Sequence, residues 1–107
     1  MITVSILYPR TEGGRFDADY YLAKHMPMAL ARLGAAVRAV SVETGLYGAQ
    51  AGTPPAFVAI CRYTCDSEQA FYDAFRPHAS EMIADRANFT DIQPLFQISE
   101  VRLARPS

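Results

Sequence analysis

Phe16-Asp17-Ala18-Asp19-Tyr20-Tyr21-Leu22-Ala23-Lys24-His25-Met26-Pro27 opens a helix, carries one of the chain's two histidines and meets a proline two residues later. Asp17 has the short carboxylate that accepts hydrogen bonds from the free amides of a first helical turn, so it reads as the N-cap. Phe16 then stands at N′ and Tyr21 at N4, the pair that forms a hydrophobic staple. In an unbroken helix Tyr21 and His25 share a face at i and i+4. Pro27 has no amide to return to the carbonyl of Ala23, and it biases Met26 away from helical angles. The spacing therefore predicts a helix over about residues 17–33, kinked near 26, with Pro27 as the first residue of its second piece. Leu22, Met26, Ala29 or Leu30, and Leu33 trace its core stripe, and Gly34 follows as the C′ residue.

Outward from that helix the chain alternates. Ile2, Val4, Ile6 and Tyr8 share one face of a period-two strand, with Thr3, Ser5 and Leu7 on the other, and Pro9 ends it. Residues 11–15 contain Gly13-Gly14 and read as a loop. Beyond the helix, residues 36–46 read as a second strand and 47–55 as a breaker-rich connection. Ala56 to Thr64 is a third strand with apolar residues on both faces. Asp66 and Gln69 form an imperfect capping box for a second helix, whose face includes Phe71, Phe75, His78 and Met82. Pro77 predicts a break near Arg76. Residues 86–94 read as a connection, and Phe96 to Leu103 as a final strand whose alternation slips between Ile98 and Val101, as a bulge would make it.

The order β-α-β-β-α-β is that of the ferredoxin-like α+β fold, a four-stranded antiparallel sheet with both helices on one face. Apolar residues on both sides of the third strand, with Leu7 on the first, predict that the open face is covered too, most simply by a second copy in a homodimer. The 107 residues make one domain, 1–107. A net charge of −1 argues against a nucleic-acid surface, and no apolar run is long enough to cross a membrane. No signal-peptide pattern opens the sequence. Cys61 and Cys65 fall on one face of one strand, roughly 13 Å apart, too far for a disulfide. Free thiols and a cytoplasmic location are the expectation.

Several of these stretches resemble the EthD-type family, named for ethyl tert-butyl ether degradation. The matching parts are Phe16-Asp17 with Tyr20-Tyr21 and His25-Met26-Pro27, then Asp85 with Asn88-Phe89-Thr90-Asp91-Ile92, and the closing Gln97-Ile98-Ser99-Glu100-Val101. The resemblance spans about residues 2–103 and implies a dimeric α+β barrel with a small apolar pocket in each protomer. It implies a hydrophobic, oxygenated small molecule as partner and leaves the chemistry open. Such relatives include dehydratases, and the wider barrel group includes isomerases, cofactor-independent monooxygenases and haem-degrading enzymes. A non-catalytic role serving a partner oxygenase is the alternative.

Imidazoles exchange protons near neutral pH, so His25 is the candidate general acid–base. The bland alternative is a histidine satisfied by a carbonyl freed at the kink. Tyr21 either polarises a substrate oxygen beside it or serves only as the staple. Tyr8, at the helix-facing end of its strand, and Tyr20 offer further hydroxyls. Asp85 either orients His25 or His78, or caps the segment containing Asn88; capping is the simpler role. Phe71, Phe75, His78 and Met82 wall a pocket or simply fill the core. Two separated histidines and a Cys-x-x-x-Cys strand make no zinc spacing, no glycine-rich nucleotide fingerprint follows a strand, and no cofactor is expected. His25 as an axial haem ligand is the one exception considered.

Overall fold

Ile2, Val4, Ile6 and Tyr8 do share one face of β1 (Ile2–Pro9), one of the two central strands of the sheet. The computed structural model describes residues 1–105, so the last two residues of the expected 1–107 domain lie outside it. β1 is flanked by β3 (Phe57–Cys65) and β4 (Leu95–Glu100), and β2 (Ala39–Thr44) completes the order β2-β3-β1-β4, every pairing antiparallel. The register sets Val4 opposite Tyr63 and Ile98, and Ile6 opposite Cys61 and Phe96. One face of the sheet thus carries Val4, Tyr8, Ala59, Cys61, Tyr63 and Cys65, all buried against the helices. Cys61 and Cys65 are free thiols, and burial pushes both above the ordinary thiol range. No helix among the described residues is long and apolar enough to cross a membrane.

The first helical arm departs from the expected form in a way that matters for the site. Asp17 is the N-cap, its Oδ1 accepting from the Tyr20 amide at 3.0 Å, and the Phe16 and Tyr21 rings meet at 5.2 Å. α1 (Ala18–Tyr20) then widens into a π-helical turn, Tyr21–His25, before α2 (Met26–Leu33) resumes. The Met26 amide reaches back five residues to the Tyr21 carbonyl. A kink with Met26 driven out of helical angles was the expectation; Met26 instead keeps φ −64° and ψ −43°. The wider turn moves the Ala23 carbonyl away from the Pro27 ring, so the clash that breaks an α-helix does not arise. The extra residue also rotates the buried face. Leu22, expected in the core, is 51% exposed, while Tyr21 and His25 point inward with Met26, Ala29 and Leu33. Gly34 closes the arm at φ +58°, a conformation that a side chain would strain.

In the second arm Ser67, not Asp66, is the cap: its Oγ accepts from the Ala70 amide at 3.1 Å. Ser67 has the extended backbone of an N-cap, one residue later than the capping-box spacing implied, and Asp66 faces Arg38 instead. α3 (Glu68–Phe75) passes through a 3₁₀ turn at Arg76–His78, where Pro77 sits, into α4 (Ala79–Asp85). β4 ends at Glu100 in unbroken register with β1; the slip after Ile98 marks the end of the strand rather than a bulge. The irregularity falls in β1, between Tyr8 and Pro9.

Candidate functional site

Segment 86–92 has no hydrophobic period, yet it locks the site together. The Asp17 amide donates to the Phe89 carbonyl (2.7 Å), the Arg15 amide to Asp91 Oδ1 (2.7 Å), and the Thr90 hydroxyl to the Arg15 carbonyl. These bonds drop the Phe89 ring into the core at 0% exposure. There it meets His25 at 4.7 Å, Tyr21 at 4.9 Å, Phe16 at 5.6 Å and Tyr8 at 6.1 Å between ring centroids. Tilted and edge-on aromatic pairs of this kind each contribute about 0.5–1.5 kcal/mol beyond their area.

His25 is 8% exposed. Its ring lies nearly parallel to Tyr21, 14° between planes at 5.4 Å, the arrangement the π turn imposes on residues four apart. His25 Nδ1 sits 2.9 Å from Asp85 Oδ2. An ionised carboxylate can only accept, so Nδ1 is the donor, and the tautomer this selects carries its lone pair on Nε2. Asp85 ends α4, where the helix dipole disfavours a negative charge. Three donors compensate: His25, the Tyr20 hydroxyl at 2.7 Å and the Asn88 amide at 2.9 Å. Burial acts to raise the Asp85 carboxyl, but the hydrogen bonds from Asn88, Tyr20 and His25 outweigh it and hold the group below its ordinary value.

That shift has a consequence for stability. With the folded value depressed, Asp85 adds stability above the unfolded carboxyl value of about 3.9, and the contribution is lost as pH falls through the lower folded value. Asp85→Asn is therefore expected to lower the melting temperature at neutral pH and to flatten its decline on acidification. Thermal unfolding followed from about pH 7 to pH 2 checks this. An Asp85→Asn acid slope equal to that of the native chain would show that the carboxylate is not held in this way.

Between the sheet and α2, α3 and α4 lies a cavity of about 330 Å³. Its wall is mostly apolar (Ile6, Leu33, Phe71, Phe75, Met82, Ile83, Phe96), with His25, Tyr8, Tyr63, Tyr72 and Arg86 as its polar members. Burial pushes the Tyr8 hydroxyl up to about 12, against the opposing charge of Arg86 and a hydrogen bond from Tyr21, so it is a neutral donor at physiological pH. Burial likewise raises Tyr21 and Tyr63.

Of the residues singled out from sequence, His25, Tyr8, Phe71, Phe75 and Met82 meet at this cavity. Tyr21 stands behind His25 as a support, stacked on its ring. Tyr20 reaches the outer side of Asp85 rather than the cavity. His78 lines no part of it, and Asp85 bonds His25, not His78. Asp85 also takes the local role, since Asn88 bonds its other oxygen. Arg86, Tyr63 and Phe89 were not among the candidates. Arg86 and Phe89 lie in the unpatterned connection, and Tyr63 reads as an ordinary strand residue. Among the described residues no group of three or more His, Cys, Asp or Glu side chains is placed to hold a metal.

Comparison with known proteins places the fold and the family. A family model described as the EthD domain matches residues 15–93, which include Asp17, His25, Asp85, Arg86 and Phe89. No curated protein matches the chain. The crystal structure of an EthD-like protein from Ralstonia eutropha superposes with a TM-score of 0.93 at 53% identity, covering 97% of this chain and 94% of that one. An EthD family protein from Bacillus halodurans aligns at 19% identity and TM-score 0.70 over 94% of this chain and 98% of its own. A dimeric ferredoxin-like protein from Thermobifida fusca aligns at 16% identity and TM-score 0.54, over 94% and 90% of the two chains. The last two are alike in fold.

Proposed function

This chain belongs to the EthD family, and from that premise we propose that it is an enzyme acting on a hydrophobic, oxygenated small molecule, with His25 as general acid–base. One observation carries the reading: Asp85 fixes His25 Nδ1 at 2.9 Å, leaving Nε2 as the free nitrogen of a residue that lines an apolar cavity. A base whose tautomer and orientation are set by a carboxylate is equipped to take a proton from a bound substrate and return it elsewhere. Tyr8, neutral and buried, is the donor for a substrate oxygen, while Phe71, Phe75 and Met82 hold the apolar body. Proton transfer of this kind suits an isomerase or a dehydratase, and every group it uses belongs to the chain. Tyr21 supports the ring and does not touch substrate. Free buried thiols at Cys61 and Cys65 fit a reducing, cytoplasmic setting.

The same reading includes a homodimer built on the open face of the sheet. Leu7 pairs there with both Ile60 and Leu95, forming an apolar patch at one end, while Ser5, Arg62 and Gln97 make the next row polar. A second copy laid on this face removes the patch from water. The dimeric state of the Thermobifida fusca neighbour is in keeping with that arrangement.

Native mass spectrometry of the purified protein, followed by denaturing analysis of released small molecules, tests both parts. A dimer carrying an apolar ligand is the expected result. A monomer at micromolar concentration overturns the sheet-to-sheet pairing, and failure to bind any apolar molecule overturns the pocket. A ligand held unchanged, with His25 governing affinity alone, would make the protein a carrier for a partner oxygenase rather than an enzyme.

A further inference from the structure

We infer that the cavity takes an apolar molecule bearing one anionic oxygen group, a carboxylate being the simplest, and that Arg86 is the residue that holds it. The inference rests on reading this cavity as a ligand site and specifies the ligand's charge. Arg86 opens the 3₁₀ turn Arg86–Asn88 directly after α4, and it lines the cavity beside Tyr8, Ile83 and Phe96. The ion pairs among the described residues join His25 to Asp85, Arg32 to Glu81, Arg38 to Asp66 and Arg62 to Glu43. Arg86 takes part in none of them. Asp85, its immediate neighbour, spends both carboxylate oxygens on His25, Tyr20 and Asn88. A half-buried guanidinium against an apolar wall is costly to desolvate unless it is paired, and a guanidinium is charged at every working pH. The charge is felt inside the cavity, since it acts on the Tyr8 hydroxyl.

The geometry then divides the work. His25 Nε2 addresses the reacting part of the molecule, and the Arg86 fork, which matches a carboxylate through two parallel hydrogen bonds, fixes its far or developing negative oxygen. The protein's overall charge does not favour this. At −1 the chain weakly repels anions, so any preference for one is local.

The test uses two probes of one shape, 2-naphthoate and 2-naphthamide, titrated calorimetrically at pH 8. Charge-assisted hydrogen bonds should make the native protein bind the carboxylate about ten- to a hundredfold more tightly than the amide. Arg86→Gln should abolish that preference and leave naphthamide binding within about twofold of native, since the apolar wall is untouched. Arg86→Lys, keeping the charge but losing the fork, should fall between. A preference that survives in Arg86→Gln overturns the assignment, as does native protein that binds naphthamide and shows no preference. Binding of neither probe removes the cavity reading, and this inference with it.

Discussion

Phe89→Ala is expected to destabilise the fold by about 3–5 kcal/mol, the range for emptying a large aromatic site in a packed core. The ring is wholly buried and touches Tyr8, Phe16, Tyr21 and His25, so its removal takes contacts from the first helical arm and from β1 at once. The surrounding rings cannot collapse into the space freely. Tyr21 and His25 are held by the π turn, and the segment carrying Phe89 is tied at Asp17 and Arg15. Domains of this size have only about 5–15 kcal/mol in total, so the variant stands close to unfolding at ambient temperature. Phe89→Leu keeps much of the apolar volume and should cost about 1–2 kcal/mol, which leaves a folded protein to measure. Urea denaturation of both variants gives the comparison. An alanine variant less than about 1 kcal/mol weaker than native would show that the cluster relaxes around the hole and does not carry the fold.

The sheet was legible in the sequence because one-sided burial writes itself as alternation. Ile2, Val4, Ile6 and Tyr8 could face the core only as a strand, and antiparallel pairing followed from the order of elements. Caps and breaks were legible where one residue type does one job, as at Asp17, Gly34 and Pro77. The π turn was not. Its cause, Pro27, predicts a disturbed helix, but a kink and a widened turn both satisfy a missing amide, and only packing of Tyr21 and His25 inward selects between them. Periodicity therefore chose Leu22 for the core, one position from the residue that goes there. Arg86 and Phe89 were hidden for a related reason. They sit in an aperiodic connection, positioned by bonds to residues more than seventy places away. The pairing of His25 with Asp85 spans sixty residues, and no local pattern carries it.

His25→Asn is expected to lower turnover about 10²- to 10⁴-fold on the substrate class identified from bound ligand, with the fold retained. The choice of asparagine separates chemistry from structure. Its side-chain amide occupies the place of Nδ1 and can still donate to Asp85, so the carboxylate keeps a partner and the buried pair is not left half-made. What the substitution removes is Nε2, the nitrogen free to exchange a proton with a molecule in the cavity. A merely structural histidine would lose nothing by it. His25→Ala makes the complementary test, because it leaves an imidazole-sized space between Tyr21, Phe89 and Asp85. Free imidazole added to that variant should restore part of the rate, and the restoration should grow with pH as the neutral base form accumulates. Rescue that ignores pH would point to repair of packing rather than to proton transfer. Equal turnover in His25→Asn and native protein, with ligand affinity alone changed, would assign His25 to binding and make the cavity a carrier's site.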